Sequence, residues 1–149
     1  MADTSLTDPD TPAADRLAIR PLASCLAAEW HGLRADLLPQ EDPAVAAATL
    51  KRLVSQNGSD AAMLVLRGYR PVGLACYRIT RGRDALDSVF EVTEWLFRPE
   101  ASGTGAGAHL IGFLYMAAEA QGAPLVYWPS AVTGFRPAAD ATGPDRKAA

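Results

Sequence analysis

Three glycines alternate with small residues in the run Leu96-Phe97-Arg98-Pro99-Glu100-Ala101-Ser102-Gly103-Thr104-Gly105-Ala106-Gly107-Ala108-His109-Leu110-Ile111. They fall where a β-branched and aromatic stretch gives way to apolar residues at helical spacing. Glycine lets a backbone approach a ligand closely and take positive φ angles. A helix start adds unpaired N–H groups and the positive end of the dipole. Together these features suit an anion such as a pyrophosphate. The plainer alternative is chance spacing in a chain rich in Ala and Gly. Two familiar phosphate loops do not fit. The Walker pattern needs a Lys, and this run has none; a dinucleotide fingerprint belongs to the first strand of its sheet, whereas this run follows the fourth expected strand.

Glu91 and Glu94 lie in the strand that leads into the glycines. A strand covered on both faces reads as continuously apolar, and a carboxylate there is unfavourable unless solvated or paired. Two such residues mark a cleft. Their odd spacing puts them on opposite faces unless a bulge intervenes, and Glu94 is nearer the glycines. The competing reading is a salt bridge from Glu94 to Arg78 or an exposed strand end. His109 is expected to face solvent, and His31 has no evident partner. Trp30, Trp95 and Trp128 read as core residues. Cys25 and Cys76 show neither metal spacing nor a CxxC pair, so no metal is expected.

The elements that must position these residues are legible as a change of period. Residues 1–15, rich in Asp, Thr, Pro and Ala, read as a disordered tail. Leu17–Leu22 is a strand ending near Pro21. Leu26, Trp30, Leu33 and Leu37 form one face of a helix that Pro39 stops. Asp42 can cap a second helix, with Pro43 in its first turn and Ala46, Leu50, Leu53 and Val54 on its inner face. The period then drops to two: Ala62–Arg67 and Pro71–Thr80 flank Gly68-Tyr69-Arg70 as a hairpin, and Ser88–Phe97 follows as a third run. Ala106–Gln121 is helical, and Leu125–Trp128 is a last strand. Residues 130–149 have no period and read as a second tail. A single α/β domain over 16–129 results, in the order β-α-α-β-β-β-α-β. Its sheet is mixed and mostly antiparallel, flanked by helices; the strand–helix–strand unit from Ser88 to Trp128 makes its two strands parallel.

Composition excludes several classes. The chain has 149 residues, a length that favours one domain. Of the 49% hydrophobic residues, 29 are Ala; without them strong hydrophobes fall to roughly 30% of the chain, ordinary for a globular protein. A net charge of −3 gives no basic field for nucleic acid or anionic lipid. No apolar run approaches the roughly 20 residues that a membrane helix needs. The acidic N-terminus does not read as a secretory signal, which leaves a cytoplasmic expectation.

With these elements in place, the glycine run resembles the acetyl-CoA signature of the Gcn5-related N-acetyltransferase (GNAT) superfamily, Val-x-Pro-Glu-x-Arg-Gly-x-Gly-x-Gly followed by an apolar helix. Pro99, Glu100, Gly103, Gly105 and Gly107 match, and Leu110 and Ile111 continue into the helix. Ser102 stands where the signature has Arg or Gln, and Ala106 is smaller than the usual residue between the last glycines. The resemblance covers about residues 17–128. The family continues with a further helix and two strands where this sequence has Pro129–Ala149, so the resemblance is to a C-terminally shortened or degenerate member. It implies an acyl-CoA N-acyltransferase-like fold and acetyl transfer from acetyl-CoA, a co-substrate, to an amine of a small molecule or an amino group of a protein. It also implies that the backbone of Trp95, Leu96 and Phe97 holds the acetyl carbonyl and pantetheine, as an added strand would. The N–H groups of Ser102, Gly103, Thr104, Gly105, Ala106 and Gly107 would hold the pyrophosphate. Glu94, with Glu91 behind it, would take the amine's proton, and Tyr127 is the weaker candidate for the acid that protonates the leaving thiolate. Val92-Thr93-Glu94-Trp95 and Val126-Tyr127-Trp128-Pro129 are also similar to acetyltransferase domains of the enhanced-intracellular-survival type. One such domain is inactive, which keeps open a non-catalytic, interaction or homodimer-forming reading through an open sheet edge.

Overall fold

The computed structural model describes residues 4–5, 12–55, 58–83, 88–123 and 125–127. They form one six-stranded sheet in the order β1-β2-β3-β4-β5-β6. The strands are β1 (Thr4–Ser5), β2 (Leu17–Pro21), β3 (Asp60–Arg67), β4 (Arg70–Thr80), β5 (Val89–Phe97) and β6 (Leu125–Tyr127). The helices are α1 (Ala27–Leu37), α2 (Pro43–Leu53) and α3 (Ala106–Ala120). Neighbouring strands from β1 to β5 are antiparallel, and β6 alone runs parallel to its neighbour. The α/β fold with a mixed, mostly antiparallel sheet is thus the one expected.

Within residues 1–15, Thr4 and Ser5 pair with Ile19 and Ala18, and Ala13–Asp15 forms a 3-10 turn. The segment 130–149 and Trp128 lie outside the described residues.

The sheet separates two cores. Leu17, Ile19, Met63, Val65, Phe90, Val92 and Trp95 pack with Leu110, Leu114 and Ala118 of α3. On the opposite face Leu64, Leu74 and Cys76 pack with Trp30 and Leu33 of α1 and Ala46 and Leu53 of α2. β3 and β4 therefore have long buried runs, because alternate residues enter different cores. Asp42 Oδ1 accepts from Ala44 N at 2.8 Å, the cap expected at the start of α2.

β5 departs from simple alternation at one point. Glu94 pairs with Cys76 and Val92 with Tyr77, so Thr93 is an extra residue against β4. Phe90 and Val92 before the bulge, and Trp95 after it, belong to the α3 core. Glu91 and Glu94 stand opposite Arg78 and Cys76, two residues apart on β4. Both carboxylates therefore share the α1/α2 face. Glu91 and Glu94 were expected on opposite faces of a regular strand; the bulge is the physical reason they are not.

Candidate functional site

Two pockets adjoin β5, one on each face of the sheet. The first lies where β5 ends and α3 begins. Arg98 fixes the exit from the strand: its N–H bonds Val72 O at 2.8 Å, its Nε bonds Pro71 O at 2.8 Å, and its Nη1 meets Asp36 at 2.7 Å. A 3-10 turn over Pro99–Ala101 follows, then the glycines. Gly103 and Gly105 have φ of +79° and +80°, where an L side chain would be strained. Gly105 is the N-cap of α3 and supplies no side-chain cap.

The N–H groups of Ser102 and Thr104 turn back onto Pro99 O and Ala101 O at 3.1 and 3.2 Å. Ala106 N approaches Thr104 Oγ1 at 3.3 Å. Among the described residues, the N–H groups of Gly103, Gly105, Gly107 and Ala108 make no hydrogen bond. These four residues line a pocket of about 440 Å³. Its opposite wall is Trp95, Phe97 and Arg98. The Trp95 and Phe97 ring centroids lie 5.0 Å apart, and a Cβ on Gly107 would sit 3.6 Å from the Trp95 ring. Ala106 is fully buried, which accounts for a small residue between the last two glycines.

β6 covers the first part of the β5 edge, pairing with Val89, Phe90 and Glu91. Beyond Glu91 the backbone of Leu96 and Phe97 continues toward the pocket end without pairing to β6, and Trp95 and Phe97 line the pocket. Trp95 is both core residue and pocket wall, and the Leu96 side chain packs toward the α1/α2 core.

The second pocket, about 180 Å³, lies on the α1/α2 face and is lined by Arg34, Arg52, Asp60, Cys76, Arg78 and Glu94, together with Thr49, Leu53 and Thr93. Arg34 is only 4% exposed. Its Nε and Nη2 bond the two carboxylate oxygens of Glu41, its Nη1 bonds Glu94 Oε1, and its guanidinium lies 4.8 Å from the Trp30 ring centroid. Burial alone would push Arg34 down, but the hydrogen bonds it donates to Glu41 and Glu94, with their negative charge, outweigh it and hold the group above its ordinary range. The same Arg34 bond holds the Glu41 carboxyl below its ordinary value. Cys76 Sγ also donates to Glu94 Oε1, at 3.5 Å, and burial raises that thiol well above the usual range, so it stays protonated. Across the pocket, Asp60 forms an ion pair with Arg52 Nε at 2.9 Å and accepts a hydrogen bond from Arg78 Nε at 2.7 Å.

The structure thus brings Trp95, Phe97, Ser102, Gly103, Gly105 and Gly107 to one pocket and Glu94 to the other. Thr104 turns its hydroxyl onto Ala101 O at 2.5 Å. The partner of Glu94 is Arg34, not the expected Arg78, which is taken by Asp60. Glu91 lies across from Arg78 and lines neither pocket. His109, expected to face solvent, is partly exposed; its Nδ1 is buried and, among the described residues, has no hydrogen-bond partner. The Tyr127 side chain is outside the described residues. Arg34 and Glu41 had escaped notice, though one signal was present: Arg34 follows Trp30 by four residues, on the apolar stripe of α1. Among the described residues no cluster of three His, Cys, Asp or Glu could hold a metal, and no helix is long and apolar enough to cross a membrane.

No protein-family model and no curated protein matches the sequence. Solved structures do match the fold. The aminoglycoside acetyltransferase AAC(6')-Iy, in complex with a bisubstrate analogue of coenzyme A, superposes with a TM-score of 0.66 at 18% identity, over 83% of this chain and 82% of that one. The aminoglycoside 6'-N-acetyltransferase AAC(6')-Ih from Acinetobacter baumannii gives 0.66 at 16% identity, over 79% and 82%. A ribosomal-protein-alanine N-acetyltransferase from Brucella melitensis biovar Abortus 2308 gives 0.60 at 18%, over 75% and 78%.

Proposed function

We propose that this chain, whose fold is that of the GNAT acetyltransferases, is an acetyl-CoA-dependent N-acetyltransferase acting on the amine of a small molecule or the amino group of a protein. The observation that carries the reading is the union of two features at one pocket: four N–H groups at the start of α3 that make no hydrogen bond among the described residues, and beside them the stretch of β5 that lies beyond its pairing with β6. The N–H groups of Gly103, Gly105, Gly107 and Ala108 suit the diphosphate of acetyl-CoA, helped by the helix dipole. The backbone of Trp95, Leu96 and Phe97 suits a pantetheine arm laid alongside as an extra strand. Fold-mates solved with coenzyme A or its analogues support the pairing of this architecture with that ligand.

Acetyl-CoA supplies a thioester carbonyl; attack by a neutral amine forms the C–N bond and releases the thiolate. The chain must therefore take one proton from the amine. Glu94 is our candidate: Arg34 and Cys76 both engage Oε1, while Oε2 makes no hydrogen bond among the described residues. Arg34 thus holds the carboxylate in place with one oxygen uncommitted. Glu91, on the same face three residues away, is the second candidate. We place the protein in the cytoplasm, in keeping with the free thiols of Cys25 and Cys76.

One observation favours a second reading, a GNAT-fold protein that binds its ligand without transfer or serves as an interaction module: Glu94 is already engaged by Arg34. Titration calorimetry with acetyl-CoA, joined to thiol release over an amine panel, separates the two. Binding with amine-dependent thiol release is expected. Binding without release from any amine supports the second reading, and no binding removes both ligand-based readings. Gly107→Asp is the control, because it puts a carboxylate in the pocket at a helix position that tolerates it well.

A further inference from the structure

The α1/α2-face pocket contains an arrangement that an acceptor amine alone does not account for. Asp60 is nearly buried, with 12% of its side chain exposed, and both its oxygens are taken. Oδ2 forms an ion pair with Arg52 Nε, and Oδ1 accepts a hydrogen bond from Arg78 Nε. The Nη groups of both arginines make no hydrogen bond among the described residues, and these side chains are 56% and 45% exposed. Two guanidinium forks therefore share a single carboxylate and present their remaining donors at the pocket. At the other end Glu94 keeps Oε2 uncommitted. Among the side chains lining the pocket, Arg34, Arg52 and Arg78 face only Asp60 and Glu94. Arg34 is spent on Glu94 and Glu41, so within the pocket lining the excess positive charge lies at the Arg52–Arg78 end. Glu91, opposite Arg78 on the sheet, acts on it electrostatically from outside the pocket lining and without an ion pair.

We propose that the acceptor is a small amine that also carries an oxyanion group, a carboxylate or a phosphate. Glu94 faces its nitrogen, and Arg52 and Arg78 bind its oxygens. A planar guanidinium matches either oxyanion with two parallel N–H bonds. The pocket is small, and it is polarised, acidic at β5 and basic at α2. A polycationic acceptor would place a second ammonium against the Arg52–Arg78 pair, where like charge disfavours it. This inference rests on the acetyltransferase reading for the identity of the reacting nitrogen, but the binding preference can be measured without it.

The test uses the full chain, with and without saturating coenzyme A, and matched probes: alanine against alaninamide, and phosphoethanolamine against ethanolamine. At least one acid is expected to bind about tenfold or more tightly than its uncharged partner. Arg52→Ala and Arg78→Ala should each erase that margin. Asp60→Asn, which keeps the side chain's shape and releases both guanidiniums, should widen it. Equal binding within both pairs, no binding by any probe, tighter binding of spermidine than of either acid, or a margin that Asp60→Asn shrinks would each overturn the inference. Failure of the acetyltransferase reading is distinct: it shows as absence of coenzyme A binding, whatever the probes do.

Discussion

The two pockets on either side of β5 are built from different materials. The pocket on the α3 face is made of main chain: N–H groups freed by a helix start and by glycines at positive φ, with the stretch of β5 beyond its β6 pairing opposite. Its local determinants lie within residues 95–108. The pocket on the α1/α2 face is made of charged side chains drawn from positions 34, 41, 52, 60, 78 and 94, on two helices, a loop and three strands. A main-chain site recognises what any phosphate-bearing carrier has in common. A side-chain site can be altered one residue at a time, which suits the partner that differs from enzyme to enzyme. The first should tolerate loss of the ion pairs, and the second should tolerate changes at the glycines.

Arg34→Ala should have the largest effect. It strands Glu41 and Glu94 and removes the stack on Trp30. Breaking a fully buried pair costs about 3–5 kcal/mol, and because both carboxylates here are partly exposed we expect about 2–3 kcal/mol in urea denaturation. Acetyl-CoA affinity should stay within about twofold of the native value if the pockets are independent; a loss of about tenfold or more would show that they are one unit. Gly107→Asp should do the converse, weakening acetyl-CoA binding by about tenfold or more with denaturation midpoint unchanged or slightly raised.

Gly73→Ala probes the wall of the main-chain pocket. A Cβ there would lie 2.3 Å from the Phe97 ring, so the ring must move. A stability loss of about 1–3 kcal/mol is expected, together with weaker acetyl-CoA binding, because Phe97 lines that pocket. Gly73→Ala protein with native affinity would show that the Phe97 ring makes no contact with the ligand.

Acid titration separates the two sites again. The Arg34 hydrogen bond holds the Glu41 carboxyl below its ordinary value of 4.5. A group whose folded value is depressed adds stability above its unfolded value and loses it as pH falls through the folded one. Denaturation followed from pH 7 downward should therefore show stability falling below about pH 4.5, and Glu41→Gln should flatten that limb. The smallest effect is expected at a site outside both pockets: Asp42→Ala removes the α2 cap and should cost about 1 kcal/mol by the same denaturation assay.

The same contrast explains what could be read from the amino-acid order. The glycine run, the apolar stripe of α1, the Asp42 cap and the hairpin were legible because each is local: its determinants lie within one element or one turn. The parallel pairing of β5 with β6 followed from the strand–helix–strand unit between them. The pairing of Arg34 with Glu94 joins residues sixty positions apart, and the Arg52–Asp60–Arg78 arrangement needs the β3–β4 register before it exists. Neither leaves a periodic trace. The bulge at Thr93 was hidden for another reason: no glycine marks it, and Val92-Thr93-Glu94 reads as ordinary strand. The two-residue β1 was hidden by its brevity.

That unmarked Thr93 makes a backbone irregularity a determinant of chemistry. Were Thr93 drawn into a regular ladder, everything beyond would rotate half a turn, and the acid and the indole would trade sides. Glu94 would enter the layer beneath α3, while Trp95 would meet Arg34. A flattened bulge would thus erase both sites at once with every named side chain still in the chain, whereas most substitutions erase only one.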